Sequence, residues 1–381
     1  MSYLTYLEKL LDGAEVEWRE IGNSINFQRG KRLVKSQLEK KGAYAVFQNS
    51  MTPLGYHHES NVTSKSVFVI CAGAAGEIGF SDNKFWAADD VYYAEKSEHL
   101  NSKYLYYFLL TQKHKITSQV RRASIPRLSK SAIDKLSIPI PCPDNPEKSL
   151  KIQADIVRIL DTFTSLTNEL TNELTTRKKQ YNYYRDKLLS FDDENVEWVD
   201  LGSLAENLDS KRKPITSGLR ETGSIPYYGA SGIVDYVKDY IFNEDLLLVS
   251  EDGANLLARN TPIAFSISGK SWINNHAHVL KFKTYAERRY VEFYLNSIDL
   301  TPYISGAAQP KLNKKNLNSI RIPNPSKESK ESIVSILDKF HTLTSSLVNG
   351  LPREIELRQK QYEYYRDLLL SFPKPDMTEA V

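Results

Sequence analysis

The sequence predicts an α+β protein that is built twice, with two globular domains in a pseudo-twofold inverted arrangement separated by two long antiparallel coiled-coil helices. The first observation is a tyrosine-rich stretch at residues 177–191 that returns at residues 358–372 with few changes. The second is a set of shorter landmarks that recur in the same order in both halves. The third is an apolar residue at every third or fourth position before each tyrosine-rich stretch, which is typical of long packed helices.

Length and composition fit a two-domain globular protein, because 41% of the 381 residues are hydrophobic and 25% are charged. The formal net charge is only +3, so any surface that binds nucleic acid has to be local. Two cysteines are too few for a disulfide framework and favour a reducing compartment. Since the sequence shows neither a signal-peptide core nor an apolar run of membrane-spanning length, we expect a cytoplasmic protein without membrane contact.

Matching landmarks set the domain boundaries. Val16-Glu17-Trp18 opens the first globular segment, and Val196-Glu197-Trp198 opens the second. We therefore expect an N-terminal helix at 1–14, a first domain at 15–144, a central helix at 145–191, a second domain at 192–324, a C-terminal helix at 325–372 and a tail at 373–381.

Each domain is expected to contain a buried strand, a glycine-bearing loop after it, and a packed tyrosine-rich helix. Ser66–Ile70 and Leu246–Val249 are continuous apolar runs, which is typical of buried strands. Tyr104–Leu109 and Tyr290–Leu295 are the matching helices. The domains should therefore share a framework, while the sequence between the landmarks diverges.

Each long helix is predicted to begin at an asparagine cap followed by proline at the first helical position, at Asn145-Pro146 and at Asn324-Pro325. Pro352 interrupts the second apolar stripe, so we expect a bend or break near Gly350-Leu351. The N-terminal Lys9-Leu10-Leu11 is similar to the end of such a helix. This similarity requires the end of the second helix to lie beside the start of the chain.

Three motifs carry a family resemblance. They are the proline-rich entry to the central helix at residues 138–150, the stretch at 350–358, and a tandem Thr-Asn-Glu-Leu repeat at 167–174. Together with the two near-identical helices, they make the whole chain similar to the DNA specificity subunits of type I restriction–modification enzymes, in the IC-like class. The resemblance implies that each domain is a target recognition domain that reads one half of a bipartite site in double-stranded DNA.

The same resemblance implies partners and cofactors. Two methyltransferase subunits, which methylate adenine, would bind the helices, and two motor and nuclease subunits would join them for restriction. The chain itself would be non-catalytic and would bind no cofactor, because S-adenosylmethionine, ATP and Mg would bind to the partner subunits.

Catalytic motifs are correspondingly weak in the sequence. The closest matches to the base-holding loop of an adenine methyltransferase, Asp144–Glu147 and Asn324–Ser326, lack its second proline and its aromatic residue. A phosphate loop ending at Ser268–Ser271 would need a glycine where Ala264 stands. His276 and His278 would face the same side of a strand, but the sequence shows no third ligand, so we expect no metal site.

Basic and amide side chains at matching places in the two domains are the candidates for DNA contact, because they neutralise phosphates or read base edges. Solvated surface charge is the alternative for each of them. The loops at 73–76 and 251–255 are further candidates, although Glu251 and Asp252 disfavour phosphate unless they accept from a cytosine amino group. The candidate side chains are Lys31, Arg32, Arg121, Arg122, Ser124, Arg127 and Lys130 in the first domain, and Lys211, Arg212, Lys213, Gln309, Lys311, Lys314 and Lys315 in the second.

The repeated tyrosine-rich stretch has two interpretations. Its tyrosines either form the helix seam or, with the neighbouring arginines, dock the methyltransferase subunits. Leu170 and Leu174 end the two repeat units, and the resemblance suggests that this segment sets the spacing between half-sites. A free-standing two-domain DNA-binding protein and a purely structural scaffold stay as alternatives. The candidates for partner binding are Tyr181, Tyr184, Arg185, Tyr362, Tyr365 and Arg366.

Overall fold

The structure is a computed structural model that describes residues 4–192, 196–306, 309–346 and 348–372. The predicted tail at 373–381 lies outside the described residues. The chain divides into two compact units, one formed by residues 1–170 with 355–381 and the other by residues 171–354. Within the described part of the chain, no helix combines the length and the apolar character needed to cross a membrane.

The first domain contains an antiparallel four-stranded sheet, a smaller three-stranded sheet and a two-stranded ribbon. Its elements are α1 (Leu4–Leu11), β1 (Val16–Glu20), α2 (Ile21–Ser24), β2 (Phe27–Arg29), β3 (Tyr44–Phe47), β4 (Gly55–His57), β5 (Ser66–Ile70), β6 (Ile78–Ser81), β7 (Phe85–Ala87), β8 (Val91–Ala94), α3 (Ser102–Thr111), α4 (Lys113–Ser118), α5 (Ser131–Asp134) and β9 (Ser137–Pro141). The strand orders are β2-β8-β5-β6, β4-β3-β7 and β1-β9, and only the β3–β7 pair among these is parallel.

The second domain repeats this topology after the long helix α6 (Pro146–Leu188). Its elements are β10 (Trp198–Asp200), α7 (Leu201–Leu204), β11 (Glu206–Asn207), β12 (Thr222–Gly229), β13 (Gly232–Val237), β14 (Phe242–Asn243), β15 (Leu246–Ser250), α8 (Asn255–Ala258), β16 (Ala264–Ile267), β17 (Lys270–Ile273), β18 (Ala277–Lys281), α9 (Tyr285–Ser297), α10 (Lys314–Asn318) and β19 (Arg321–Pro323). The orders β11-β18-β15-β16, β13-β12-β17-β14 and β10-β19 correspond to those of the first domain, and β12 pairs parallel with β17 as β3 does with β7. The predicted α+β duplication is confirmed.

Buried tyrosines tie the packed helix of each domain to its two-stranded ribbon. The hydroxyl of Tyr104 donates to the Pro139 carbonyl at 2.9 Å, and the hydroxyl of Tyr290 donates to the Pro323 carbonyl at 3.0 Å. Both tyrosines are fully buried, so each hydroxyl needs a partner inside the domain. The two tyrosine-rich helices therefore occupy equivalent places, as the sequence predicts.

The tryptophans that open the two domains also have equivalent surroundings. The ring of Trp18 packs edge-on against Phe108 with centroids 6.4 Å apart, and Trp198 packs against Tyr294 at the same 6.4 Å. Each tryptophan lies in the first strand of its domain, β1 or β10, and each aromatic partner lies in the packed helix, α3 or α9. Both expected strand starts are thus present.

The central helix α6 runs without interruption over 43 residues and belongs to both units. The side chain of Asn145 accepts a hydrogen bond from the Lys148 amide at 3.0 Å, and Pro146 is the first helical residue. An asparagine at this position satisfies an amide that has no carbonyl partner in the first turn. The predicted cap of this helix is confirmed.

The predicted cap of the second helix, at Asn324-Pro325, is wrong. Helix α11 (Lys327–Ser345) begins two residues later, where the Ser326 side chain accepts from the Ser329 amide at 3.2 Å. Asn324 continues the strand pairing instead, because its backbone amide donates to the Glu197 carbonyl at 2.8 Å. Its side chain accepts from the Lys330 ammonium at 2.5 Å.

The second helix is broken where Pro352 predicts a bend. Helix α11 ends at Ser345, and helix α12 (Leu351–Leu369) begins five residues after Ser346 with Pro352 in its first turn. Proline is tolerated there because the first-turn amides have no helical partner. The equivalent helix in the first half of the chain, α6, has no such interruption.

In the first unit, the end of α12 packs beside the start of the chain. Leu369 and Phe372 share one buried apolar cluster with Leu7 and Leu11 of α1. Tyr365 stacks on Phe163 of α6, with ring centroids 5.2 Å apart. The predicted closure of the end of the second helix onto the start of the chain is confirmed.

In the second unit, the end of α6 takes the same part. Tyr184 stacks on Phe340 of α11 with centroids 5.6 Å apart, and Leu189 lies in the buried cluster of the second domain. Each unit therefore contains the start of one helix beside the end of the other, as an antiparallel pair requires. The core of the first domain thus includes a helix end from a distant part of the sequence, whereas the helix end in the core of the second domain directly precedes that domain.

Replacing Gly350 with alanine should destabilise the helix break. A Cβ atom there would clash with the Thr342 carbonyl oxygen and lie 2.8 Å from that of Ser346, both of which are backbone atoms that cannot move away freely. We expect a loss of about 1–3 kcal/mol in the free energy of unfolding, measured by urea denaturation. Gly218→Ala is the matched control, because a Cβ atom there meets nothing within 4 Å. Equal effects of the two substitutions would contradict this account.

Candidate nucleic-acid interface

Three segments meet at one end of the strands of the main sheet in the first domain, and we call them loop cluster one (residues 29–32, 71–76 and 121–127). The Leu128 amide donates to the Cys71 carbonyl at 2.8 Å, and the Gly73 amide donates to the Pro126 carbonyl at 3.1 Å. Arg121 and Arg127 exchange backbone hydrogen bonds of 2.9 and 3.1 Å, which close the basic loop between them. Arg29, the last residue of β2, lies at the same end of the sheet, and its guanidinium donates to the Asp89 carbonyl at 2.7 Å.

The second domain repeats these backbone bonds in loop cluster two (residues 209–213, 251–255, 305–306 and 309–311). The Leu312 amide donates to the Glu251 carbonyl at 2.8 Å, and the Gly253 amide donates to the Pro310 carbonyl at 3.1 Å. Ser305 and Lys311 exchange backbone hydrogen bonds of 2.9 and 2.7 Å. The two clusters are therefore the same backbone construction with different side chains.

Glycine is required in the turn that follows the buried strand of each domain, β5 or β15. Gly73 has φ +81° and Gly253 has φ +104°, conformations that other residues rarely adopt. At Gly73 a side chain would also meet the backbone oxygen of Asn49 at 2.7 Å. The glycine-bearing loops and the basic segments, which the sequence suggests as separate candidates, lie together in each domain.

Most of the predicted DNA contacts of the first domain are exposed in loop cluster one. Lys130 differs from the rest, because its ammonium donates to the Asn26 side chain at 3.0 Å and lies 3.8 Å from the Asp134 carboxylate. Lys130 therefore holds neighbouring segments together in the described structure. The exposed candidates are Lys31, Arg32, Arg121, Arg122, Ser124 and Arg127.

In the second domain, Arg212 is the predicted contact that turns inward. Its guanidinium lies 2.6 Å from the Glu251 carboxylate and donates to the Ala277 carbonyl at 2.8 Å, and only 13% of its side chain is exposed. Lys314 and Lys315 lie in the first turn of α10, after the cluster rather than in it. The exposed candidates are Lys211, Lys213, Gln309, Lys311, Lys314 and Lys315.

Two tryptophans that the sequence reasoning passed over fix the basic segments. The indole of Trp86 donates to the Lys31 carbonyl at 2.9 Å, and the indole of Trp272 donates to the Lys213 carbonyl at 2.6 Å. Trp86 lies in β7 and Trp272 lies in β17, the strands that pair in parallel in each domain. The sequence contains one indication of this shared role. Trp86 and Trp272 stand the same number of residues before the next strand, β8 or β18.

Loop cluster two contains a buried network of charged side chains. The Asp209 carboxylate lies 2.6 Å from Nδ1 of His278, and Nε2 of the same ring lies 2.7 Å from the Leu312 carbonyl. Burial works to raise the pKa of Asp209, but the hydrogen bond and the charge of His278 outweigh it and hold that pKa below its usual value. Asp209 is therefore ionised at neutral pH.

Glu251 lies in the same network. Burial works to raise its pKa, whereas the hydrogen bond from Arg212 and the charges of His278 and Lys311 bring that pKa below its usual value. The Lys311 ammonium lies 3.1 Å from the Glu251 carboxylate. Glu251 therefore carries a negative charge between two cations.

Loop cluster one has a neutral side chain at the equivalent position. Cys71 accepts and donates the backbone bonds that Glu251 does, and burial raises the pKa of its thiol to about 11. The thiol is therefore uncharged at neutral pH. Within the described residues, Arg29 and Arg127 beside it form no ion pair.

The expected placement of His276 and His278 on one face of a strand is wrong. His276 lies in the turn before β18 and pairs with Asp252 at 2.9 Å, while His278 is buried in the strand. Ligand atoms of Asp209, Glu251 and His278 do lie within 4.8 Å of one another, but Arg212 and Lys311 already neutralise this group. A second such group is formed by Glu39, His57 and His58 in the first domain.

The predicted partner-binding residues occupy equivalent places on the helices. Tyr362 is buried and Tyr365 is half-buried, whereas Tyr184 is 41% exposed. Arg185 and Arg366 each lie over the ring of the tyrosine four positions earlier, at 5.7 Å from its centroid. Tyr181 is half-buried, and Leu170 and Leu174 are half-buried in the middle of α6.

The most exposed tyrosines of these helices are ones that the sequence did not single out. Tyr183 is 61% exposed and Tyr364 is 54% exposed, and they hold equivalent positions in the repeated stretch. Each packs edge-on against the tyrosine that follows it, with centroids 5.3 and 5.4 Å apart. Their exposure depends on the rotation of each helix against its domain, which the spacing of tyrosines alone did not fix.

A family model described as the type I restriction modification DNA specificity domain matches the chain twice, at residues 14–177 and 193–357. The chain belongs to this family. The EcoR124I/EcoR124II specificity subunit of Escherichia coli is 37% identical over 411 residues, covering 99% of this chain and 99% of that protein. A putative type I restriction enzyme specificity subunit of Haemophilus influenzae is 33% identical and covers 97% of this chain and 98% of that protein.

Solved structures show the same fold for this type I specificity chain. The S subunit of a type I restriction–modification system from M. genitalium superposes with a TM-score of 0.66 at 18% identity, covering 96% of this chain and 98% of that one. A chain from a structure of type I complex assembly and conformational transition gives a TM-score of 0.57 at 13% identity, covering 93% and 97%. The resemblance read from the repeated helices and the three motifs is confirmed.

Proposed function

We propose that this chain is the DNA-recognition subunit of a type I restriction–modification complex and reads a bipartite site. Each domain reads one half-site through its loop cluster, and the spacer between the half-sites is not read. The chain recruits two methyltransferase subunits, which methylate adenine, and two motor and nuclease subunits, in the cytoplasm. S-adenosylmethionine, ATP and Mg bind to those partners, and this chain provides no catalytic group.

The observation that supports this proposal most is the repetition of one backbone construction with two sets of side chains. The bonds that hold Cys71 and Glu251 in their clusters are main-chain bonds, so they do not depend on which side chains the loops carry. Arg121, Arg122 and Arg127 are exposed in one cluster, and Gln309 and Lys311 are exposed in the other. Such a frame can present different contacts to two different half-sites.

The helices supply the proposed surface for the methyltransferase subunits. Tyr183 and Tyr364 are exposed aromatic rings at equivalent positions, and Arg185 and Arg366 lie over the rings of Tyr181 and Tyr362 in the same stretches. Tyrosine and arginine are enriched in protein interfaces, where they provide large contact areas with polar ends. Two copies of one surface fit two copies of one partner.

Domain exchange tests the proposed function. Replacing residues 1–145 with those of a relative should change one half-site and leave the other intact, because each loop cluster belongs to a single domain. The measurement is co-purification with the methyltransferase subunits followed by sequencing of methylated adenines. Replacing residues 192–324 instead is the matched control and should change the other half-site. A change of both half-sites in either chimera would contradict modular reading, and DNA binding without a methyltransferase would favour a free-standing DNA-binding protein.

Alanine at Arg121, Arg122 and Arg127 should weaken DNA binding and flatten its dependence on salt. Each lost phosphate contact reduces the slope of log K against log salt by about 0.9, which a titration by fluorescence anisotropy would measure. The control removes three cations of the helices that are 64–72% exposed, and we expect an unchanged slope. Those cations are Arg158, Lys327 and Lys360. An unaltered slope in the triple-alanine variant would show that these arginines are solvated surface charges that do not contact phosphate.

Deleting Thr171–Leu174 should shorten the spacer between the half-sites. Four residues correspond to ~6 Å of helix and to about one turn, so the faces of α6 keep nearly the same orientation. With base pairs ~3.4 Å apart, we expect a spacer shorter by about one or two base pairs, mapped by sequencing of methylated adenines. Substituting the same four residues with alanine keeps the length and should keep the spacer. An unchanged spacer in the deletion variant would refute the role of this segment as a ruler.

A further inference from the structure

Glu251 holds two cations of loop cluster two in a way that resembles a phosphate contact. Its carboxylate lies 2.6 Å from the Arg212 guanidinium and 3.1 Å from the Lys311 ammonium. A carboxylate and a phosphate oxygen offer arginine and lysine the same kind of charged acceptor. The two cations therefore have an internal anion as partner when no DNA is bound.

The three members of this arrangement differ in their access to solvent. Glu251 is 11% exposed and Arg212 is 13% exposed, while 51% of the Lys311 side chain is exposed. An ion pair with a half-exposed lysine is weak and can be exchanged, whereas the buried pair is difficult to separate. Lys311 is thus the cation that is able to leave Glu251 for another acceptor.

The rest of the network keeps Glu251 in place. His278 is 1% exposed and lies 2.6 Å from Asp209 and 3.8 Å from Glu251. Arg212 also lies 3.6 Å from Asp209, so its guanidinium contacts both carboxylates that lie beside the imidazole. Removing Lys311 from this group leaves Glu251 with Arg212 as its close cationic partner.

The first domain has the same backbone arrangement without a carboxylate at this position. Cys71 holds the equivalent position with a neutral thiol, and Arg127 is the equivalent of Lys311 in the backbone pairing. Arg127 is exposed and forms no ion pair with any described residue. To contact DNA, Lys311 has to leave an ion pair, whereas Arg127 does not.

We propose that Glu251 is a specificity-determining residue that competes with DNA phosphates for Lys311. On DNA of unrelated sequence, Lys311 stays with Glu251 and adds little to binding. On the correct half-site, the fit of the neighbouring loops brings a phosphate or base edge close enough to take Lys311 away. The restraint raises the ratio of specific to non-specific binding for the second half-site, and Cys71 imposes no such restraint on the first. This inference rests on the proposed function, because it assumes that loop cluster two faces DNA.

The test uses Glu251→Gln in the purified complex with its methyltransferase subunits and measures binding to a duplex with the mapped site and to one without it, between 50 and 200 mM salt. Freeing one cation should steepen the salt dependence of non-specific binding by roughly 0.9 in log–log slope. Over that fourfold salt range, this corresponds to about a threefold larger fall in affinity. The double variant with Lys311→Gln should return the slope to that of the unmodified chain.

Glu221→Gln is the matched control. It removes the same charge from the same domain outside loop cluster two, where the Glu221 carboxylate pairs with Lys238 at 3.0 Å. We expect its slope to equal that of the unmodified chain. If Glu221→Gln and Glu251→Gln steepen the slope equally, or if Glu251→Gln weakens binding to both duplexes, the proposal is overturned in favour of bulk charge or of a purely structural role.

Lys311→Gln alone tests the proposal independently of how well the Glu251 variant folds, since the lysine is half-exposed. It should weaken binding to the mapped site several-fold and leave non-specific binding almost unchanged. An equal loss on both duplexes would overturn the inference. Failure of the unmodified complex to bind any DNA would instead overturn the proposed function, so the two failures are distinguishable.

Discussion

The structure depends on the completion of each domain core by the end of a long helix, which for the first domain is the last described helix and for the second is the helix that directly precedes it. In the first unit, Leu369 and Phe372 join Leu7 and Leu11, and in the second unit Leu189 joins the core of the second domain. Burial of these apolar side chains is the main favourable term in such packing. The repeated tyrosine-rich stretch therefore ends each long helix with the same packing surface, because each domain needs the same apolar contact. A substitution that unwinds one helix end should therefore destabilise the core of the domain on which that end packs.

The fold was predictable because the chain repeats itself, so that every landmark could be checked against a second copy. The matching strands and tyrosine-rich helices and the closure of the chain start onto the last helix followed from that repetition, whereas the break followed from Pro352 itself. The failure of Asn324 to cap the second helix was not predictable, since only the pairing of β10 with β19 shows that the Asn324 amide still bonds across to the Glu197 carbonyl. An asparagine before a proline is a good cap only where the strand has already ended.

The segments that form the loop clusters were predictable from the sequence, whereas the ion pairs inside loop cluster two were not. Basic residues at matching positions pointed to segments that the structure brings together, yet Arg212 turns inward because the Glu251 carboxylate, from a separate part of the chain, lies opposite it. A sequence shows a charged residue without showing which charge lies opposite, and side chains that are 39 positions apart give no spacing pattern. Trp86 and Trp272 were missed for the same reason, since their role is to hold a backbone carbonyl.

The packing of the last described helix against the first has a consequence for the exchange of domains. Leu369 and Phe372 complete the core that contains Leu7 and Leu11, and Leu189 completes the core of the second domain. Both helix ends carry the repeated tyrosine-rich sequence, so a chain in which the segment between these ends is replaced keeps the apolar residues on which each core closes.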